Sequence, residues 1–354
     1  MGSRRPLRDA ATLNLSMTNT LPLGKLPPDL LAQLLAQAPI SDPRVLLKPG
    51  IGLDCAVIEL GDTLLVFKSD PITFATDEIG WYLVQVNSND IATMGATPRW
   101  LMVTMLLPEG KTTADLANQI NHQLVTACQE KGISLIGGHT EITYGLERPI
   151  LAGTLVGEVT RERLVTPQGM NEGDHILLTK GIPIEATAIL AREFPERLHG
   201  VLSQQELQQA QNYLMAPGIS VLRDAQIAIE AGQVTAMHDP TEGGLAGALW
   251  ELAESSGHSL LIDPITIPIP DLALRVCTAF GLDPLATIAS GALLLTVTAV
   301  TAPQVQLALA AAGIACVQIG EVVAGETAVW QTTPGGRILL PRPARDEIGR
   351  VYES

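Results

Sequence analysis

The chain is short of aromatics, of positive charge and of paired cysteines, and each shortage closes a line of interpretation. Aromatic residues make up 3% of its 354 residues, so a core must come from Leu, Ile, Val and Ala, and a hydrophobic content of 46% is ample for one. Lys and Arg number 22 against 37 Asp and Glu, a formal net charge of -15. A nucleic-acid binder needs a basic face to neutralise phosphates, so that class is excluded. The same balance constrains any nucleotide site, because carboxylates repel phosphates unless a divalent metal bridges them. The four cysteines, Cys55, Cys128, Cys277 and Cys316, have no CxxC spacing. That excludes a zinc knuckle or a dithiol redox site and leaves buried free thiols in a reducing compartment. No apolar run reaches the ~20 residues that span a bilayer. Residues 1–20 carry arginines with no long apolar run behind them, so they read as a flexible leader rather than a secretory signal, with Met17 an alternative start. The composition describes a soluble cytoplasmic protein, and its length suggests two domains.

What the chain does carry is concentrated in residues 87–108, NSNDIATMGATPRWLMVTMLLP. The stretch opens as a helix in which Asn87, Asn89 and Asp90 set amides and a carboxylate beside apolar Ile91, Ala92 and Met94. Gly95 and Pro98 break it, and the apolar run over 100–107 reads as a buried strand ended by Pro108. Taken alone, Asp90 is either a cap or part of a site. Upstream, Pro27 and Pro28 open an amphipathic helix with Leu30, Leu31, Leu34 and Leu35 on one face. Residues 55–60 and 63–68 read as the arms of a hairpin about Gly61-Asp62, which brings Asp54 and Asp70 to the same end.

Downstream, residues 113–131 read as a helix with Leu116, Ile120, Leu124 and Cys128 at four-residue spacing and Gly132 as its C-cap. Residues 133–143 read as a short strand running into a Gly137-Gly138 turn, followed by His139, Thr140 and Glu141. Residues 150–159 form a further strand, and a domain boundary falls in the polar loop over 161–169. Beyond it a strand begins within 170–181, and helices over 185–194, 203–214, 220–231 and 303–312 are interleaved with strands over 234–237, 259–263, 292–298 and 316–322. His238 and Asp239 end the 234–237 strand, and a Pro-Thr-Glu-Gly-Gly turn leads into a helix from Leu245. The pattern is α+β with antiparallel pairing rather than a regular βαβ winding.

Familiar signatures are missing. There is no GxxxxGK[ST], no GxGxxG after a strand, no GxSxG and no HExxH. A nucleotide would therefore be held by another device. Asp54, Asp70, Asp90 and Asp239 each lie at the edge of an apolar segment, and acids drawn from separate elements are what Mg²⁺ requires. Each one is equally readable as a cap.

The ordered segments GIGLDCAV, KSDPITF, NSNDIATMGATP, LIGGHTE, GTLVGEV, HDPTEGGL and SGALLLTV resemble the aminoimidazole ribonucleotide (AIR) synthetase-like superfamily. The resemblance runs over about residues 24–297 and is greatest to the hydrogenase-maturation HypE branch. It implies a homodimer in which N-terminal strands of two subunits form a barrel, with a C-terminal α+β domain beside it. It implies an ATP-binding, dimer-forming domain over 21–160, a second domain over 161–340 and a tail over 341–354. ATP would be held through Mg²⁺ by Asp54, Asp70, Asp90 and Asp239. Asn87 and Asn89 would contact phosphate or orient Asp90, and Gly137 and Gly138 would let backbone approach the nucleotide. Lys25 stands where relatives have a mobile loop over the phosphates.

Relatives often have GGDT or GGET where this chain has Gly-Gly-His-Thr-Glu. Glu141 then stands as a shifted acidic ligand, and His139 as a general base, a phosphate contact or a structural histidine. Arg99, Trp100 and His238 adjoin the site motifs as candidates for an acceptor pocket. HypE ends in a Pro-Arg-Ile-Cys tail and this sequence in Gly-Arg-Val-Tyr-Glu-Ser, so cyano-group synthesis by that route is not expected. The implied activity is ATP- and Mg²⁺-dependent phosphorylation of an amide, carbonyl or phosphate oxygen on a small molecule or protein. The alternatives are a hydrogenase-maturation factor acting with a carbamoyltransferase-type partner, and a nucleotide-binding regulatory protein without turnover.

Overall fold

Burial alternates along residues 63–68, and in the computed structural model the segment 56–72 folds as a hairpin within the first sheet. Residues 21, 24–73 and 77–353 are described; the expected leader, 1–20, lies outside them. Helix α1 (Pro28–Leu35) and strand β1 (Val45–Leu47) come first. Strands β2 (Ala56–Leu60) and β3 (Thr63–Ile72) form the hairpin, with Ala56 opposite Phe67 and Leu60 opposite Thr63. Gly61, at φ 64°, supplies the left-handed conformation that a two-residue turn needs.

Helix α2 (Ile79–Thr93), strand β4 (Thr97–Pro108), helix α3 (Ala114–Lys131) and strands β5 (Ser134–Thr143) and β6 (Ile150–Val159) complete this half. The sheet order is β1-β2-β3-β6-β4-β5, with β4 and β5 parallel and the other pairs antiparallel. Thr113 caps α3 by accepting from the Leu116 amide, and Gly132 ends it in the left-handed region. Helix α2 lies between β3, β6 and α3. It begins at Ile79, two turns before Asn87, because its run IGWYLVQV is buried on nearly every side rather than along one stripe.

Two sequence expectations are corrected here. Gly137 and Gly138 do not turn the chain, since β5 runs through them unbroken, opposite Met102 and Val103 of β4. Both have φ 143°, and a Cβ on Gly138 would stand 1.8 Å from the Val103 carbonyl oxygen, so close strand approach is what demands glycine there. Pro98 does not precede the strand but lies in it, opposite Gly157 and beside a bulge.

The second half contains β7 (His175–Thr179), α4 (Ile184–Glu193), α5 (Gln204–Gln211), α6 (Leu222–Ala231), β8 (Val234–His238) and α7 (Gly244–Ser256). There follow β9 (Ser259–Ile262), α8 (Asp271–Phe280), β10 (Leu294–Val297), α9 (Ala302–Ala311) and β11 (Cys316–Val323). Strands β12 (Ala328–Thr333) and β13 (Gly336–Leu339) and the short helix α10 (Gly349–Tyr352) close the chain. The sheet order is β13-β12-β9-β11-β7-β10-β8. Leu177, Leu295 and Val297 pack against Ala228 of α6 and Val305 and Leu309 of α9. On the other face Ile176, Leu178 and Leu294 meet Leu245, Leu249 and Leu252 of α7.

A buried carboxyl joins the two halves. Glu185, at the start of α4, is 4% exposed, and the Tyr82 hydroxyl of α2 donates to its Oε1 at 2.8 Å. Burial pushes this carboxyl up to about 7, against the pull of the Ser290 and Tyr82 hydroxyls. The folded chain therefore keeps a proton that the unfolded chain releases at lower pH, and stability falls as pH rises through that window. Glu185→Gln is expected to be more stable than the parent by about 1–3 kcal/mol at pH 8 and equal to it near pH 4.5. Urea melts at the two pH values check this; a variant whose stability follows the parent's at both would contradict it.

Candidate functional site

The alternation of β3 turns Leu64, Val66, Lys68 and Asp70 to one face, the first three buried. A lysine in that register must find acids, because a buried ammonium without them is prohibitively costly. Its Nζ lies 3.1 Å from Asp90 Oδ2, 3.2 Å from Asp70 Oδ2 and 3.8 Å from Asp54 Oδ1. Asp54 comes from the turn before β2, Asp90 from α2, and Asp239 follows β8. His238, the last residue of β8, sets Nε2 2.8 Å from Glu251 Oε2 of α7 and 3.8 Å from Asp54 Oδ2. Its Nδ1 is 3.1 Å from the Asp239 carbonyl oxygen. Both ring nitrogens thus face acceptors, which suits an imidazolium. Burial opposes that charge, but Glu251 and Asp54 outweigh it and raise the His238 pKa.

The amides flanking Asp90 hold backbone. Asn87 Oδ1 accepts from the Asp70 amide at 3.1 Å, and its Nδ2 donates to the Leu83 carbonyl at 2.9 Å. Asn89 donates to the Ile219 carbonyl at 2.8 Å and accepts from the Val221 amide at 2.9 Å. Asn87 therefore fixes β3 at Asp70, while Asn89 docks α2 on the second half of the chain.

Asp90 and Asp239 are buried, whereas Asp54 and Asp70 have side chains 35% and 34% exposed, so the cluster has a floor and a solvent side. No backbone amide, hydroxyl or side-chain amide bonds either oxygen of Asp239, whose close polar contact is the Asp90 carboxyl, and Asp90 Oδ2 faces the Lys68 ammonium. Native structures leave few such groups, and each calls for a partner. Burial, with the Asp54 charge adding to it, pushes Asp239 up to about 8 despite Lys68. Burial likewise pushes Asp90 well up and Asp70 up, with Lys68 opposing both. Asp54 is also pushed up by burial, but Lys68, His238 and Lys25 together hold it below the usual range. The donor set is hard oxygen, which suits Mg²⁺, and the facing carboxyls of Asp90 and Asp239, which no amide or hydroxyl satisfies, would hold it once deprotonated. Among the described residues no three His, Cys, Asp or Glu side chains are grouped so as to hold a metal as they stand. The acids converge on an ammonium instead.

The remaining sequence candidates are dispersed. Lys25 pairs with Glu242 at 3.3 Å and approaches Thr241 Oγ1 at 3.5 Å, which sets the N-terminal segment against the Pro-Thr-Glu-Gly-Gly turn beside the acids. His139 Nε2 lies 3.0 Å from Glu141 Oε2, and Thr143 Oγ1 donates to Glu141 Oε1 at 2.8 Å. That pair is exposed on β5. Register carries Asp70 through Gly153 and Val103 to Gly138, so β5 is three strands from β3, and alternation turns His139 and Glu141 to the opposite face. Within one chain they do not meet the acids. Arg99 pairs with Glu158 at 3.0 Å and lines a separate cavity with Thr63 and Arg163, and Trp100 follows it, half-buried, in β4. Of those three candidates His238 alone joins the cluster. Sequence reasoning missed Lys68 and Glu251. The signal for Lys68 was its place in the apolar alternation of β3; Glu251, on a helix and far along the chain from Asp54, gave none.

Two family models match in order, AIR synthase related protein, N-terminal domain, over residues 52–159 and AIR synthase related protein, C-terminal domain, over 171–331. A putative hydrogenase expression/formation protein of Methanocaldococcus jannaschii is 33% identical over 246 residues, 67% of this chain and 70% of that protein. The carbamoyl dehydratase HypE of Azotobacter vinelandii is 28% identical over 309 residues, 84% of this chain and 87% of its own. The crystal structure of the hydrogenase maturation protein HypE in complex with ATP shares the fold, with a TM-score of 0.66 at 23% identity over 88% of this chain and 89% of that one. Its two matched domains, which carry the acids from Asp54 to Asp239, and its likeness to hydrogenase expression/formation proteins make the chain a member of the AIR synthase related family.

Proposed function

We propose that the chain is an ATP- and Mg²⁺-dependent enzyme that phosphorylates an amide, carbonyl or phosphate oxygen of a small molecule or partner protein. The observation that carries this reading is the convergence of Asp54, Asp70, Asp90 and Asp239 around one buried point, with the buried Asp90 and Asp239 carboxyls set against each other and no amide or hydroxyl donor on Asp239. Asp90 and Asp239 would hold the metal, and Asp54 and Asp70, on the solvent side of the cluster, would meet the metal-bound phosphates. When bound, Mg²⁺ supplies the charge neutralisation that lets phosphate oxygens lie among carboxylates. The chain's own part is positioning, which is most of what phosphoryl transfer needs. Asn87 and Asn89 lock Asp70 and Asp90 in place, and Glu251 holds His238 beside Asp54. Lys25, held beside the acids by Glu242, would meet the phosphates from the N-terminal side. The ATP complex of HypE supports the choice of nucleotide. Incubation with Mg²⁺, ATP and a metabolite extract, followed by ³¹P NMR, is expected to show ADP and a new phosphorylated species. Bound ATP that is never cleaved would instead favour a nucleotide-binding protein without turnover.

The likeness to hydrogenase expression/formation proteins favours a second reading, a maturation factor working with a carbamoyltransferase-type partner in the cytoplasm. A carbamoyl or cyano adduct on a cysteine, seen by mass spectrometry after incubation with such a partner, would establish it, and an unmodified chain would count against it.

The chain acts as a homodimer joined through β5. Among the described residues this strand pairs with β4 alone and its other edge is open; Ile136 is 56% and Ile142 64% exposed. A long unpaired edge that carries exposed isoleucines is a template for a second chain. A second copy would also bring His139 and Glu141 towards an acid cluster, completing the barrel that the family resemblance implies. The double variant Ile136→Lys, Ile142→Lys is expected to sediment as a monomer, and a parent that is itself monomeric at micromolar concentration would refute the dimer.

A further inference from the structure

We propose that Lys68 is a resident counter-ion that keeps bare divalent cations out of the acid cluster, so that metal enters only with a nucleotide whose phosphates take over the ammonium. The proposal rests on reading the cluster as a metal–nucleotide site. Its ground is position. Lys68 Nζ stands 3.1–3.8 Å from carboxylate oxygens of three acids that come from three different elements. Its side chain is 8% exposed, and its backbone is fixed in mid-strand opposite Leu155 of β6. One positive charge therefore already occupies the point on which the oxygens converge. A bare divalent ion placed there would meet an ammonium at close range, and low dielectric makes that repulsion strong.

The way out for Nζ leads between Asp54 and Asp70, the two acids with a third of their side chains exposed. That is the side from which a phosphate would come. A lysine ammonium is a compact charge with rotatable donors on a flexible stem, suited to exchanging one set of oxygens for another. A phosphate and a metal arriving together satisfy both sides of the exchange: the metal takes the carboxylates, and the phosphate takes the ammonium. A purely structural ion pair would behave differently, because its loss would lower stability without improving metal binding.

Lys68→Met keeps the length of the stem and removes the charge. Mn²⁺ serves as the probe, since it favours the same oxygen donors and is followed by electron paramagnetic resonance. Without nucleotide, the parent is expected to bind Mn²⁺ weakly and the variant at least about 10-fold more tightly, the scale of one close charge repulsion. With a non-hydrolysable ATP analogue present the order reverses, and the variant binds the Mn²⁺–analogue complex roughly 10-fold more weakly, having lost a charge-assisted phosphate contact. Lys68→Arg, which keeps the charge, should resemble the parent in the metal-only arm. Equal or weaker Mn²⁺ binding by Lys68→Met without nucleotide overturns the proposal. Should that variant fail to fold, the parent alone decides, because the analogue must then raise its Mn²⁺ affinity, and the absence of that coupling overturns the proposal. If Lys68→Met gains Mn²⁺ affinity while neither protein binds the analogue, the counter-ion role stands and the phosphoryl-transfer reading falls.

Discussion

Asp239→Asn is expected to lose metal–nucleotide binding by roughly 100-fold or more while making the nucleotide-free protein more stable. The size of the loss follows from role, since groups that merely orient a metal ligand already cost about 10- to 100-fold when removed. Asp239 is 1% exposed, and its carboxyl meets that of Asp90 with no amide or hydroxyl donor on either oxygen. Burial, with the Asp54 charge adding to it, pushes its carboxyl up to about 8. In the folded chain this acid therefore stays protonated at pH values where the unfolded chain has released the proton, and stability falls as pH rises from about 4 to 8. Asparagine keeps the shape and cannot ionise. The variant should gain on the order of a few kcal/mol over the parent at pH 8 and show a flatter pH profile. Opposite signs for binding and stability separate a site role from a structural one, as expected where a site is held at the expense of fold stability. A variant that loses both would make Asp239 a structural residue.

Gly138→Ala should destabilise the chain by more than ~3 kcal/mol, whereas Gly137→Ala should cost about 1 kcal/mol, though both glycines have φ 143°. The difference is space. A Cβ on Gly138 would stand 1.8 Å from the oxygen, 2.6 Å from the carbon and 2.7 Å from the nitrogen of Val103, all backbone atoms that cannot swing aside, while nothing lies within 4 Å of one on Gly137. Accommodating alanine at 138 means prising β5 from β4 and weakening the edge through which the dimer is proposed to form. Chemical denaturation of the two variants checks the contrast, and equal costs would show that backbone conformation, not strand approach, dictates both glycines.

Much of the site's frame was legible in the sequence, and what was not has physical causes. The Gly61-Asp62 hairpin was readable because turn chemistry and alternation agreed, and it brought Asp54 and Asp70 to one end as the structure does. Helix α3 was readable from its four-residue spacing and Gly132 cap. Helix α2 was clipped at its start because burial on nearly all sides erases the periodicity by which a helix is recognised. The glycine pair read as a turn because glycine usually punctuates, and the tight contact with Val103 that keeps it in a strand involves a residue 35 positions away. Lys68 escaped because lysine is read as a surface residue; its burial depends on Asp70 of its own strand and on Asp54 and Asp90 from two other segments, which no local window holds. His139 and Glu141 show the limit in the other direction. Their sequence places them beside a site motif, yet pleat and register turn them away from the acids of their own chain.

The central claim is that the buried acids form a metal-dependent nucleotide site, and calorimetric titration of the intact chain with a non-hydrolysable ATP analogue, with and without Mg²⁺, tests it most directly. Saturable binding of one analogue per chain with Mg²⁺, abolished by chelator and by Asp239→Asn, is the result the account predicts. Binding that is indifferent to Mg²⁺, or that survives in Asp239→Asn at the parent's affinity, would contradict it.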